Sequence, residues 1–287
     1  MYSSSLLIAP SLLSVYSSVR VLSASPSLLL RHPDWVQNAA TATTKWLSIG
    51  DWDVSDVKDF SWAFSKDRDQ AGGSYVPNGN PKAVSFVGAA LSKWKTISAA
   101  TLSGTFDQAS EMNADLSKWN VAKVTTLYHT FRGASKFAGT GLDSWDTASV
   151  TTLHYTFYSA GEMNSDLSKW SVAKVVTLQN TFGSASKFIG TDLGSWDTAS
   201  VTGLVATFRD AAAFSGAGVS LWKVGAVVSM AEAFDGAAAI TPCNKRQIAN
   251  TWKDNPAFIA TTYDTDWAAT KCPPLTDASF KAATWGK

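Results

Sequence analysis

The apolar positions of this chain fall on a fixed grid, and tryptophan sets it. Trp52, Trp94, Trp119, Trp145, Trp170, Trp196 and Trp222 are separated by 42, 25, 26, 25, 26 and 26 residues. Twelve residues after each stands a phenylalanine: Phe64, Phe106, Phe131, Phe157, Phe182, Phe208 and Phe234. Three residues before each tryptophan is an aliphatic side chain, Ile49, Leu91, Leu116, Leu142, Leu167, Leu193 or Val219. Eight after it comes Phe60, Leu102, Leu127, Leu153, Leu178, Leu204 or Met230. Such a period marks a stacked array, in which no unit can bury its apolar face alone. The long interval is one repeat carrying an insertion near residues 66–81, "KDRDQAGGSYVPNGNP", whose Gly, Pro and Asn mark a loop.

Within a unit the pattern changes period. In "LSKWNVAKV", Trp119 and Val121 alternate with Lys118, Asn120 and Ala122, which predicts a strand. In "LYHTFRGASKF", Leu127, Phe131, Ala134 and Phe137 fall at steps of 4, 3 and 3, which predicts one face of a short helix. The expected fold is an α/β repeat solenoid. It is a right-handed stack of about seven strand–helix units, by the crossover rule for parallel strands. Residues 1–45 read as an N-terminal arm or targeting segment, 46–240 as the repeats, and 241–287 as a small helical C-terminal cap.

Residues 112–162 and 163–213 agree at 34 of 51 positions, so the fundamental block is two units long. The shared positions are largely those a stack needs. The differences cluster off the apolar stripe, as at Tyr128/Gln179, His129/Asn180 and Arg132/Gly183.

The repeat L-S-x-W-x-V/T-x-x-V-x-x-L-x-x-x-F-x-x-A-x-x-F, as in "DLSKWNVAKVTTLYHTF" and "SWDTASVTTLHYTF", resembles the BspA-like leucine-rich repeat proteins. That family usually shows D-L-S-x-W-D-V-S-x-V-T-x-M-x-x-M-F; Leu and Thr here replace the two Met. The resemblance covers about residues 46–240. It implies a leucine-rich-repeat-like fold and an adhesive or interacting surface protein. It supplies no catalytic motif and names no ligand.

Composition narrows the function. The formal net charge is +1, which gives no footprint for nucleic acid or an anionic membrane. Charged residues make up 16%, against about a quarter in typical domains. Ala, Ser, Thr and Gly fill the gap, and such a weakly charged surface is easier to understand if a partner covers part of it. The N-terminal stretch "LLIAPSLLSVY" is broken by Pro10 and too short to span a bilayer. Residues 1–33 carry ten Ser, Arg20 and Arg31 and no acid, which suits an organelle transit peptide; a secretory signal is the other reading. Cys243 and Cys272 either form a disulfide, which implies an oxidising compartment, or are two buried thiols.

Two faces are candidates for binding. Residues flanking each tryptophan should point outward from the expected sheet: Lys93, Lys95, Lys118, Asn120, Asp146, Lys169, Asp197 and Lys223. Alternating signs there make either a binding face or a column that avoids stacking like charges. On the expected helix wall, Tyr128, His129, His154, Tyr155 and Tyr158 form an aromatic patch suited to partner contact. A two-histidine metal site lacks a third recurring ligand. Thr105, Thr130, Thr156, Thr181 and Thr207 recur eleven residues after tryptophan; a flat threonine ladder would favour ice binding, but a helix wall is not flat. No nucleophile elbow, P-loop or zinc-protease motif is present, and no cofactor is implied. The expected function is a non-catalytic protein-interaction or adhesion module, secreted or at the cell surface, whose partners are other proteins or surface glycans. The alternative is an accessory structural subunit of a larger assembly, directed to an organelle by the Ser-rich segment.

Overall fold

A computed structural model describes residue 40, residues 48–69 and residues 75–272. Most of the expected arm, residues 1–45, and the end of the cap lie outside the described residues. The chain forms seven stacked layers, one per tryptophan, and caps them with three helices.

Each layer enters through a tight turn. The carbonyl three residues before the tryptophan accepts that tryptophan's own backbone N–H, as in Trp119 to Leu116 at 3.0 Å and Trp170 to Leu167 at 3.0 Å. The same carbonyl then accepts the indole Nε1–H of the next layer. Trp94 donates to Ile49, Trp119 to Leu91, Trp145 to Leu116, Trp170 to Leu142, Trp196 to Leu167 and Trp222 to Leu193, at 2.8–3.3 Å. Both lone pairs of a buried carbonyl are thereby used, and a buried indole donor is satisfied.

The phenylalanines twelve residues on form a second column. From Phe64 to Phe234 successive rings stack at 5.5–5.7 Å. All of these residues are buried and belong to one continuous core. The two-layer block shows in a third column, where Met112 and Met163 alternate with Phe137 and Phe188. Phe137 and Phe188 stack on Phe131 and Phe182 at 4.3 and 4.0 Å.

The expected solenoid of strand–helix units does not form. Among the described residues there is no strand, only isolated bridges: parallel ones between layers, such as Thr101 to Thr126 and Thr126 to Thr152, and an antiparallel one in the insertion, Arg68 to Tyr75. Among the described residues, the α-helices of more than one turn lie in the cap. The inter-layer backbone bonds run through the half read as helical: Leu102, Gly104, Phe106 and Gln108 donate to the carbonyls of Thr126, Tyr128, Thr130 and Arg132. Two positions in that run are left-handed in layers two to seven, and one, Trp62, in layer one. The pairs are Gly104 and Gln108, His129 and Gly133, Tyr155 and Ser159, Asn180 and Ser184 in layers two to five. A positive φ every fourth residue bends the segment into successive turns, so neither a strand nor a helix can continue through it. The segment around tryptophan also fails as a strand, because a 3₁₀ or tight turn precedes it, as at Leu142–Ser144 before Trp145.

The threonine column sits in that run and is buried. Thr181 Oγ1 donates to the carbonyls of Leu153 in the layer below, at 3.0 Å, and Leu178 in its own, at 2.7 Å. Thr105, Thr156 and Thr207 repeat the pattern. These hydroxyls close the stack and are not a water-facing array.

The cap ends the ladders. Helices α1 (Pro242–Trp252), α2 (Pro256–Ile259) and α3 (Thr262–Ala268) cover the seventh layer. In earlier layers the phenylalanine N–H donates to the next layer, as Phe208 does to Ala233. For Phe234 the Tyr263 hydroxyl of α3 is the acceptor, at 3.1 Å, while donating to Asp235. Asn255 Nδ2 donates to the carbonyls of Val224 and Val227 at 2.7 and 3.1 Å. Side chains of the cap thus stand in for an eighth layer, and a disulfide between Cys243 and Cys272 ties α1 to the segment after α3.

Two substitutions test this packing by thermal or denaturant unfolding. Trp170→Ala removes a buried ring and its rung, and we expect a loss of ~3–5 kcal/mol; unfolding near the wild-type midpoint would contradict a load-sharing tryptophan column. Thr181→Val keeps the shape but removes both hydrogen bonds, for a loss of ~1–3 kcal/mol, whereas Thr181→Ser should retain most of the stability.

Candidate functional site

The left-handed turns decide what the outer surface carries. Positions nine, ten and thirteen after each tryptophan fall outside the core stripe, and successive layers bring them into columns. Trp62, His129 and Tyr155 share the tenth position, Tyr128 and His154 the ninth, and Asp107, Arg132, Tyr158 and Arg209 the thirteenth.

The five residues of the sequence-derived aromatic patch come together. Tyr128 stacks on His129 at 3.9 Å and lies 5.5 Å from His154. His129 meets Tyr155 at 5.0 Å, His154 meets Tyr155 at 4.7 Å, and Tyr155 meets Tyr158 at 5.1 Å. Trp62 extends the row, edge-on to His129 at 6.3 Å, and carries Tyr75 of the insertion against it at 5.2 Å. Seven aromatic side chains therefore form a ribbon across layers one to four. All are half-buried except Tyr75, which is exposed.

Small residues make the ribbon lie flat. A Cβ at Gly104 would stand 2.2 Å from the Trp62 ring, so only glycine lets Trp62 cross layer two to reach His129. A Cβ at Gly183 would stand 2.9 Å from Tyr158.

Charges beside the ribbon are neutralised within the protein. Arg132 grips Asp107 with two bonds, Nε at 2.6 Å and Nη2 at 2.8 Å, and reaches Asp67 at 3.3 Å. Gln108 donates to Asp67 at 2.7 Å, and the Asn78 N–H to Asp67 at 2.9 Å, which fastens the insertion to layers two and three. Asp107 is fully buried. Burial pushes its carboxyl up, against the opposing pull of Arg132. The same contact raises Arg132, so the guanidinium stays charged. Arg209 pairs with Glu232 at 2.7 Å.

The histidines are neutral. Burial, then Arg132 and His154, lower His129 to about 3. Burial lowers His154 as well. His129 Nδ1 and His154 Nε2 are buried without a hydrogen-bond partner. The rings stand 6.3 Å apart, and among the described residues no group of three or more His, Cys, Asp or Glu is arranged to hold a metal ion.

The residues flanking tryptophan are placed differently. Lys93, Lys95, Lys118, Asn120, Asp146, Lys169, Asp197 and Lys223 are all exposed, but no sheet lies behind them. Opposite charges of adjacent layers pair at two points, Lys93 with Asp51 at 2.9 Å and Lys223 with Asp197 at 3.0 Å. Exposed pairs of this kind hold little energy.

The sequence reading missed Trp62, Tyr75, Asp67, Asp107 and Arg132 as parts of this face. Trp62 stands at the offset of His129 and Tyr155, so the register contains the signal. Tyr75 and Asp67 lie in the insertion, where the register is broken.

The neutral histidines predict a pH dependence. The unfolded chain binds protons near pH 6.5, while folded His129 does not until about 3, so stability is full above 6.5 and falls progressively below it. His129→Asn, which copies Asn180 at the same left-handed position, should flatten the fall in melting temperature between pH 7 and 5. Identical pH slopes for the two proteins would contradict a buried neutral His129.

No helix among the described residues is long and apolar enough to cross a membrane. Residues 81–140 and 125–252 match a family model described as "Mycoplasma protein of unknown function, DUF285". Together the two matches span residues 81–252, more than half of the 287 residues. No curated protein and no solved structure matches the chain.

Proposed function

The chain belongs to the family described as Mycoplasma protein of unknown function, DUF285, and on that premise we propose a non-catalytic interaction and adhesion module of a surface or secreted protein. The observation that carries this reading is the aromatic ribbon. It is rigid, half-exposed and fixed by a backbone that the core determines. Tyrosine and tryptophan are enriched in the centres of interfaces because they offer large contact area at small entropic cost. The duplicated block supports the same face: residues 112–162 and 163–213 keep the core columns and diverge at Tyr128/Gln179, His129/Asn180 and Arg132/Gly183. Divergence at this face, among other surface positions, over constant core columns is what a binding surface needs. The resemblance of the repeat to BspA-like surface proteins points the same way, and the Cys243–Cys272 disulfide suits an oxidising, extracellular setting.

One observation favours the accessory-subunit reading instead. Six residues after the tryptophans of layers two to seven, Ala100, Thr125, Thr151, Val176, Thr202 and Val228 form an exposed, uncharged column, with Val228 79% exposed. A fixed partner covering this column would explain the low surface charge.

Binding of the purified chain to intact cells separates the two. A Tyr128→Ala/Tyr158→Ala variant should lose at least tenfold in binding while melting within a few degrees of wild type. Unchanged binding would overturn the ribbon as the interaction face. Purification from producing cells at fixed stoichiometry with a partner, cross-linked through the residue 125–228 column, would support the subunit reading.

A further inference from the structure

We propose that the ribbon binds an uncharged polysaccharide, with pyranose rings laid along the layers; this rests on the interaction reading above. Four observations lead to that ligand class.

The first is the make-up of the face. It holds Tyr75, Trp62, Tyr128, His129, His154, Tyr155 and Tyr158, and no aliphatic side chain stands at the ribbon's offsets in layers one to four. Of the exposed aliphatic residues, Ile97, Val176, Ile189, Leu221 and Val228 occupy other offsets or other layers, and Val76 follows Tyr75 in the insertion. Protein-binding patches mix aromatic with aliphatic and methionine side chains at their centres. A face made mainly of aromatic rings suits the C–H faces of sugars, whose weakly positive hydrogens meet the negative ring face.

The second is charge. Arg132 is taken up by Asp107 and Asp67, Arg209 by Glu232, and the histidines are held neutral by their surroundings. Neither arginine beside the ribbon is left unpaired to select sulfate, uronate or sialate. An acidic glycan would gain nothing here that a neutral one lacks.

The third is periodicity. The rings recur along the stack axis with contacts between layers of 5.0–6.3 Å. A ligand that is itself a linear repeat, advancing about one unit per layer, can engage such a row in more than one register. A folded partner would use it in only one.

The fourth is rigidity. Trp62 lies across Gly104, His129 and Tyr155 hold left-handed backbone, and the rings brace one another edge to face. Little side-chain entropy is left to lose on binding, so a weak contact per sugar still accumulates along a chain.

The test is native affinity electrophoresis of the full chain through gels containing barley β-glucan, yeast mannan, xylan or galactomannan, with heparin as the polyanion. We expect retardation by at least one neutral polysaccharide and none by heparin. Tyr128→Ala and Trp62→Ala should each weaken retardation at least tenfold. Ile97→Ala, at an exposed aliphatic outside the ribbon, should leave it unchanged. Circular dichroism melting of each variant establishes that it is folded, and Trp62→Phe, which keeps an aromatic ring, should retain most of the binding. Absence of retardation in all four neutral gels, retardation by heparin alone, or retardation insensitive to both alanine variants would each overturn the inference. If cell binding still depends on Tyr128 and Tyr158 after such a result, the ribbon docks a protein and the interaction reading stands. If cell binding is insensitive as well, both readings fall.

Discussion

The structure depends on one hydrogen bond repeated six times: an indole Nε1–H reaching down to the carbonyl three residues before the previous tryptophan. A buried indole must place its donor, and a buried tight turn must place its carbonyl. Each answers the other, provided the layers keep one register. That requirement explains why the aliphatic, the tryptophan and the phenylalanine hold fixed offsets while the total length of a layer varies between 25 and 26 residues, or 42 with the insertion. Indole and phenyl columns then stack without further conditions. The threonine column adds a second set of bonds of the same kind, from a hydroxyl to the carbonyls of its own and the preceding layer.

A good part of this was legible in the sequence. Trp119, Phe131 and Leu127 stand buried in register with their counterparts, as their spacing implies, and the aromatic patch of Tyr128, His129, His154, Tyr155 and Tyr158 is contiguous. The local elements were not. Leu127, Phe131, Ala134 and Phe137 are spaced as on a helix, yet His129 and Gly133 have positive φ and fold the segment into turns. Periodicity reports which side chains face inward; it does not report the sign of φ. A glycine at 104, 133 or 236 hints at a left-handed turn, but His129, Tyr155 and Ala206 at equivalent places give no such hint. The stack imposes that conformation on them through inter-layer bonds on either side. The same blindness hid Trp62, whose partner His129 lies two layers away over a glycine.

The division between core and surface also follows from the ladder. Offsets that serve the hydrogen-bond columns leave little freedom, so the two-unit blocks differ off those columns, at the ninth, tenth and thirteenth positions among others. In layers one, three and four these carry rings, in layer two Ser103, Gly104 and Asp107, and in layers five and six Gln179, Asn180, Val205 and Ala206 among them. The functional asymmetry of the molecule is therefore along the stack axis: an aromatic half fastened by Arg132 and the insertion, and a half closed by the helical cap. Tyr263 and Asn255 show how that end is kept from offering open rungs, each supplying the bonds an eighth layer would have made.

Hydrogen exchange of the indole Nε1–H groups, followed by nitrogen-15 NMR, tests the tryptophan ladder most directly. The indoles of Trp94, Trp119, Trp145, Trp170, Trp196 and Trp222 should exchange only through global unfolding, with one common protection factor that falls together in Trp170→Ala. Exchange of several of these six at the rate of a free indole would contradict the ladder and the layer register built on it.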